Sequence, residues 1–226
     1  MKHKKTVSPS AMLKIDAFWK WFGKNAIQLE DALEHGVNSR EVLSTLDKRI
    51  KNISRSVGFM IKGSNKVDTR LFVIIFTVGG QLKKVRWVTA FENRAPSIPN
   101  WKIQALVQPY EDIEKIKSGD DKPLKSHEME FKISEMYFEM VDYDIEKRTI
   151  SIKVYYQRGL YQFYNPYLQE DVESVLELLL GEIALKNSLS EIQLAEIPDE
   201  IDGLIPLYKL PEYIVLINNS NRKLKI

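Results

Sequence analysis

With 226 residues, 44% of them hydrophobic and 28% charged, the chain has ordinary globular usage and length enough for a real core, which excludes a disordered chain. Its 33 basic and 31 acidic residues nearly cancel to a formal charge of +2, unlike the concentrated positive charge of a dedicated nucleic-acid binder. It has no cysteine, so disulfides, thiolate catalysis, iron–sulfur clusters and cysteine-based zinc sites are excluded.

The amino terminus, Met1-Lys2-His3-Lys4-Lys5, is charged like the start of a secretory signal, but the stretch Thr6 to Lys14 lacks the apolar run that should follow. The longest apolar runs, near Leu71–Val78 and Leu178–Leu180, are far too short to cross a bilayer. The expectation is a cytoplasmic protein with no membrane partner. Ser8-Pro9 reads as a helix opening, and Ile15, Trp19, Phe22, Ala26, Leu29 and Leu33 fall on one helical face before Gly36 closes it. Trp19 and Trp21 are expected to pack in the core or cover its edge. Asn38 and Glu41 have capping-box spacing ahead of a second helix with Val42, Leu46, Ile50 and Ile53 inward.

The period then changes. Val57–Lys62 and Thr69–Val78 read as a hairpin around Gly63-Ser64-Asn65. Gly79-Gly80 leads into a helix carrying Leu82, Val85, Val88 and Phe91, followed by a strand from Trp101 to Val107. The segment 117–126, centred on Ser118-Gly119-Asp120-Asp121-Lys122-Pro123, is polar and turn-rich and reads as a mobile loop or subdomain joint. Strands resume with Met129, Phe131 and Ile133 inward. A second hairpin joins Met136–Tyr143 to Thr149–Gln157, with Ile150, Ile152, Val154 and Tyr156 on its core face. Asn165-Pro166 opens a long helix through Ile183, and Glu191–Ile197 is a last strand. Leu210-Pro211 starts a short helix, and Asn218–Ile226 reads as a polar tail.

Strand, strand, helix, strand thus occurs twice, at about 57–108 and 136–197, after two N-terminal helices. The fold class is α+β: a mixed, largely antiparallel sheet with helices on one face and two ββαβ pseudo-repeats, in one domain spanning 1–226 with a subdomain joint at 117–126.

From about Phe18 to Ile214 the chain resembles a family of uncharacterised bacterial cytosolic proteins. The residues that carry the resemblance are Phe18-Trp19-Lys20-Trp21-Phe22, Ala95-Pro96 with Trp101, Leu178-Leu179-Leu180-Gly181-Glu182, and Leu204-Ile205-Pro206-Leu207 with Leu210-Pro211. The resemblance implies a fold and a bacterial source but no reaction. The chain departs from the family pattern at Gly79-Gly80, where relatives tend to carry an acidic turn.

His3, His35 and His127 have no ligand spacing, so neither a metal nor any other cofactor is expected. Gly79-Gly80-Gln81 lacks both the dinucleotide fingerprint and the phosphate-loop Gly-Lys-Ser/Thr, leaving a tight strand-to-helix turn. Glu128, Glu130, Glu135, Glu139, Asp142 and Asp144 could give a hydrolase its acid and base, although a solvated strand face and turn chemistry account for all six. Lys48, Arg49, Lys51, Arg55, Lys83, Lys84 and Arg86 read as solvated helix faces, without a module for specific nucleic-acid recognition.

One segment is anomalous. Tyr155 to Tyr167 holds half of the 10 tyrosines, with Phe163 and Arg158 among them. Tyrosine and arginine combine contact area with directional hydrogen bonds and are enriched at binding hot spots. Tyr155, Arg158, Tyr161 and Tyr164 are therefore the candidate partner-binding residues, while Tyr156, Phe163 and Tyr167 are expected to pack under the long helix. The leading expectation is a non-catalytic module that binds another protein, of a regulatory or immunity-like kind, with homo-oligomerisation left open. The alternative is a hydrolase using a carboxylate pair from the 128–144 region.

Overall fold

The computed structural model describes residues 6–36, 38–63, 71–109, 112–126, 129–157 and 167–223. The chain divides into two compact units, Met1–Val107 and Gln108–Ile226. Each has its own core cluster.

The first unit begins with α1 (Pro9–His35), whose start and stop follow from its caps. Ser8 Oγ accepts from the Ala11 amide at 3.3 Å, and Gly36, at φ 69°, returns its N–H to the Ala32 carbonyl. α2 (Ser39–Lys51) lacks the expected capping box. Asn38 lies at φ 52°, outside the extended region from which a capping side chain reaches the first-turn amides, and makes no side-chain cap bond. β1 (Gly58–Gly63) pairs antiparallel with β2 (Phe72–Thr77), setting Phe59 opposite Phe76 and Ile61 opposite Ile74. α3 (Val85–Asn93) then carries the chain to β3 (Trp101–Ala105), parallel to β2. Phe72, Ile74 and Phe76 share the core face with Trp101, Ile103 and Ala105, and all three helices contribute to that same cluster. Phe18, Trp19, Phe22, Phe76 and Phe91 form its aromatic centre, with the Phe76 and Phe91 rings stacked at 4.7 Å.

The second unit opens with α4 (Ile113–Ser118) and the short antiparallel ribbon of β4 (Leu124–Ser126) and β5 (Met129–Phe131). β6 (Tyr137–Asp144) and β7 (Thr149–Tyr156) form an antiparallel hairpin with a bulge between Met140 and Asp142. α5 (Leu168–Leu180) and α6 (Glu182–Ser188) lead to β8 (Leu189–Glu196), parallel to β7. β9 (Ile205–Pro206) pairs with β6, and α7 (Leu210–Lys223) follows, so the sheet order is β8-β7-β6-β9. Phe138, Ile150, Ile152, Val154 and Tyr156 face a core completed by Val172, Leu176 and Leu179 of α5 and Leu210 and Ile214 of α7.

The protein is α+β, and the expected ββαβ order recurs with the same pairing in both units. In each, a hairpin is followed by a helical crossover to a strand parallel to the hairpin's second strand, over 58–105 and again over 137–196. Several local expectations need correction. The strands divide among two mixed sheets and the two-stranded β4–β5 ribbon rather than joining one sheet. In the segment 117–126, read as a mobile loop, Asp121 is buried and accepts the Ser134 amide at 3.3 Å, and Lys132 Nζ reaches the Gly119 carbonyl at 2.8 Å. The strand expected through Ile133 stops at Phe131, where a tight 3-10 turn over Ile133–Glu135 takes over. The long helix expected through Ile183 breaks at Gly181 (φ 81°, ψ 153°), a conformation open essentially to glycine alone. The supposed tail from Asn218 is helical as far as Lys223, and Asn218 Oδ1 accepts the Tyr143 hydroxyl at 3.2 Å. Among the described residues, no helix is long and apolar enough to cross a membrane.

Candidate functional site

Alternation along β7 decides where Tyr155 goes. Ile150, Ile152, Val154 and Tyr156 turn towards the helices, so Lys153 and Tyr155 stand on the opposite face. Pairing then sets their neighbours. Tyr155 lies opposite Tyr137 on β6 and Ala195 on β8, and Tyr137 lies opposite Pro206 on β9. Four strands thereby present one lateral row, Pro206–Tyr137–Tyr155–Ala195, each member half-buried. Beside it runs a polar row, Glu139–Lys153–Gln193.

The two rows are tied at Glu139. The Tyr155 hydroxyl donates diagonally to Glu139 Oε1 at 2.7 Å, and Lys153 Nζ donates to the same oxygen at 2.9 Å. The hydroxyl bond, helped by the lysine, holds the Glu139 carboxyl below the usual glutamate range. The Lys153 ammonium is pushed up by Glu139, and the Tyr155 phenol is pushed up by desolvation and by its bond to the carboxylate. At neutral pH the cluster is thus carboxylate, ammonium and neutral phenol, with every titration moved away from pH 7. A general acid or base works best with its pKa near the operating pH, so this trio is arranged to hold shape and charge rather than to move protons.

The other candidates are more scattered. Arg158, Tyr161 and Tyr164, with Phe163 and the Asn165-Pro166 cap, lie outside the described residues. Tyr156 is buried as expected, whereas Tyr167 is 47% exposed at the start of α5. Of the acidic residues, Glu128 is outside the described set. Asp144 serves the β6–β7 turn: its Oδ1 accepts from the amides of Glu146 and Lys147, which lowers its pKa. Asp142 is exposed opposite Ser151. Glu130 and Glu135 line a common cavity of about 10 Å³, room for roughly one water and not for a substrate.

Gly79 and Gly80 lie at φ 56° and 70° in a tight turn closed by the Gln81 amide on the Val78 carbonyl. Of the basic residues, Arg49 lies 4.4 Å from the centre of the Trp21 ring, and Lys51 donates to the Val57 carbonyl at 2.8 Å. Among the described residues, no group of three or more histidine, aspartate or glutamate side chains is placed to hold a metal ion.

Sequence reasoning missed Tyr137, Glu139 and Lys153 as companions of Tyr155, because only the β6–β7 register brings them together. No family model matches this sequence, and neither does any curated protein or solved structure.

Proposed function

We propose that the protein is a non-catalytic module that binds another protein through the outer face of its second sheet, centred on Tyr155 and Tyr137. What supports this reading is the row of Pro206, Tyr137, Tyr155 and Ala195 beside an already paired Glu139 and Lys153. Tyrosines of this kind offer broad apolar area with little entropy to lose, and a carboxylate pre-set by two donors costs little to order on binding. Arg158, Tyr161 and Tyr164, which follow Tyr155 in sequence and lie outside the described residues, are proposed as further partner-binding residues on their residue types alone. The partner presents an apolar patch to the tyrosine row and polar groups to Glu139, Lys153 and Gln193.

The test replaces Tyr137 with a photo-crosslinking phenylalanine and identifies the captured protein by mass spectrometry. Tyr137→Ala and Tyr155→Ala should then each weaken that complex at least tenfold, while Ile27→Ala, at an exposed position of α1, leaves it intact. If both tyrosine variants fold and retain full affinity, the binding surface lies elsewhere.

A further inference from the structure

α1 and α2 in the first unit flank an open groove of about 350 Å³, within the range of small-ligand pockets. Trp21, Asn25 and Gln28 line it from α1; Asn38, Glu41 and Thr45 line it from the start of α2. The failed capping box contributes directly. Asn38 and Glu41 have the spacing to satisfy the first turn of α2, but Asn38 makes no cap bond and both residues line the cavity instead. Asn25 donates its Nδ2 to the Trp21 carbonyl at 2.7 Å, which fixes its amide with the oxygen left over as an acceptor.

The charge balance selects the ligand. Among the described residues, Glu41 is the charged residue in the lining, and no lysine or arginine joins it there. Arg49 belongs to the neighbouring, more apolar cavity of about 290 Å³ with Lys14 and Phe18. Its guanidinium lies over the Trp21 ring. The first cavity therefore combines an indole, a carboxylate, the oriented Asn25 amide oxygen and further amide and hydroxyl groups, a set that suits a cation with several N–H donors. An anion would meet the carboxylate of Glu41, the one charged side chain among the described lining residues. Arg49 already demonstrates that the Trp21 ring accepts a guanidinium.

We infer that the α1–α2 cavity binds a guanidinium or primary ammonium group, set against Glu41 and carried either by a small amine or by an arginine side chain of a peptide. The assignment concerns the first unit and stands independently of the tyrosine face in the second. Trp21 is thus a ligand-lining residue as well as a cover for the core.

The test is an NMR titration of the full-length protein, following the Trp21 indole N–H and the Asn25 and Gln28 side-chain amides. Agmatine and a short arginine-containing peptide are the two cationic probes, with succinate and glucose as anionic and neutral controls. Saturable shifts of these signals with at least one cationic probe and none with the controls are expected. The tighter of the two cations identifies the source of the group. Glu41 is exposed, so Glu41→Gln keeps the fold and should weaken the cation about threefold or more. The inference is overturned if neither cation gives a saturable shift, if glucose or succinate binds as tightly, or if Glu41→Gln binds the cation as well as the parent.

Discussion

The indole Nε1–H of Trp101 donates to Glu30 Oε1 across 2.9 Å, and both residues are buried. The second carboxylate oxygen accepts from Asn100 Nδ2 at 3.1 Å, while the Asn100 carbonyl takes the Phe72 amide at 2.7 Å. One side chain of α1 thereby sets the position at which β3 enters the first sheet beside β2. Glu30→Leu would leave the indole donor buried and unsatisfied, costing about 1–3 kcal/mol. Glu30→Gln keeps an acceptor and should cost clearly less. Urea denaturation followed by tryptophan emission measures both.

Tyr155 and Tyr156 are adjacent in sequence and opposite in role. Tyr156 is 2% exposed inside the core of the second unit, so Tyr156→Ala should cost on the order of 3–5 kcal/mol through the cavity it leaves. Tyr155→Ala removes a half-buried ring from the outer face and should cost about 1 kcal/mol. Equal losses of thermal stability in the two variants would contradict the assigned faces.

The Glu139 cluster predicts a pH response. Its carboxyl is held down in the folded state, first by the Tyr155 hydroxyl and then by Lys153. The folded protein therefore binds this proton more weakly than the unfolded chain does. The resulting stabilisation is present above the ordinary glutamate pKa and is lost as pH falls through the folded value. Because Glu139 is 40% exposed, solvent screening keeps the effect modest. Carbon-13 NMR should place the Glu139 titration below that of an ordinary glutamate, and Tyr155→Phe should move it back up.

The same substitution should have opposite signs at two glycines. Gly23 sits inside α1 with nothing within 4 Å of an added methyl group, so Gly23→Ala should stabilise by roughly 0.5–1 kcal/mol. Gly181 is buried at φ 81°, ψ 153°, where alanine is strained, and Gly181→Ala should destabilise by about 1–3 kcal/mol. Calorimetric melting of the two variants checks both signs.

The fold was legible where a local signal and the final structure agree. The one-sided stripe from Ile15 to Leu29, the Ser8 and Gly36 caps, and the alternation through Ile150–Tyr156 are properties of short stretches, and each element forms as expected. The capping box failed because Asn38 adopts a left-handed backbone that its side chain cannot dictate. The division into two sheets was not legible either, since periodicity fixes which face a strand buries but not which partner it chooses. The same limit hid most of the candidate site. Tyr155 stood out within a tyrosine-rich segment, but Tyr137 and Glu139 reach it through pairing across the hairpin, at separations of 18 and 16 residues. The α1–α2 cavity was hidden because its polar lining looked like ordinary helix surface.

The sheet order also carries a schedule for synthesis. Every strand and helix of the first unit precedes Val107, so its core can close while the remaining half of the chain is still being made. The second sheet cannot be completed in the same running order. β6, at Tyr137–Asp144, stays an open edge until Ile205–Pro206 arrives to pair with Tyr137 and Phe138, and Leu210 and Ile214 of α7 reach the core later still. Until then the nascent second unit exposes a strand edge and apolar core positions, the features on which chaperones and misassembly both act. A chain stalled before Ile205 should therefore carry a folded first unit and a sticky, unfinished second one.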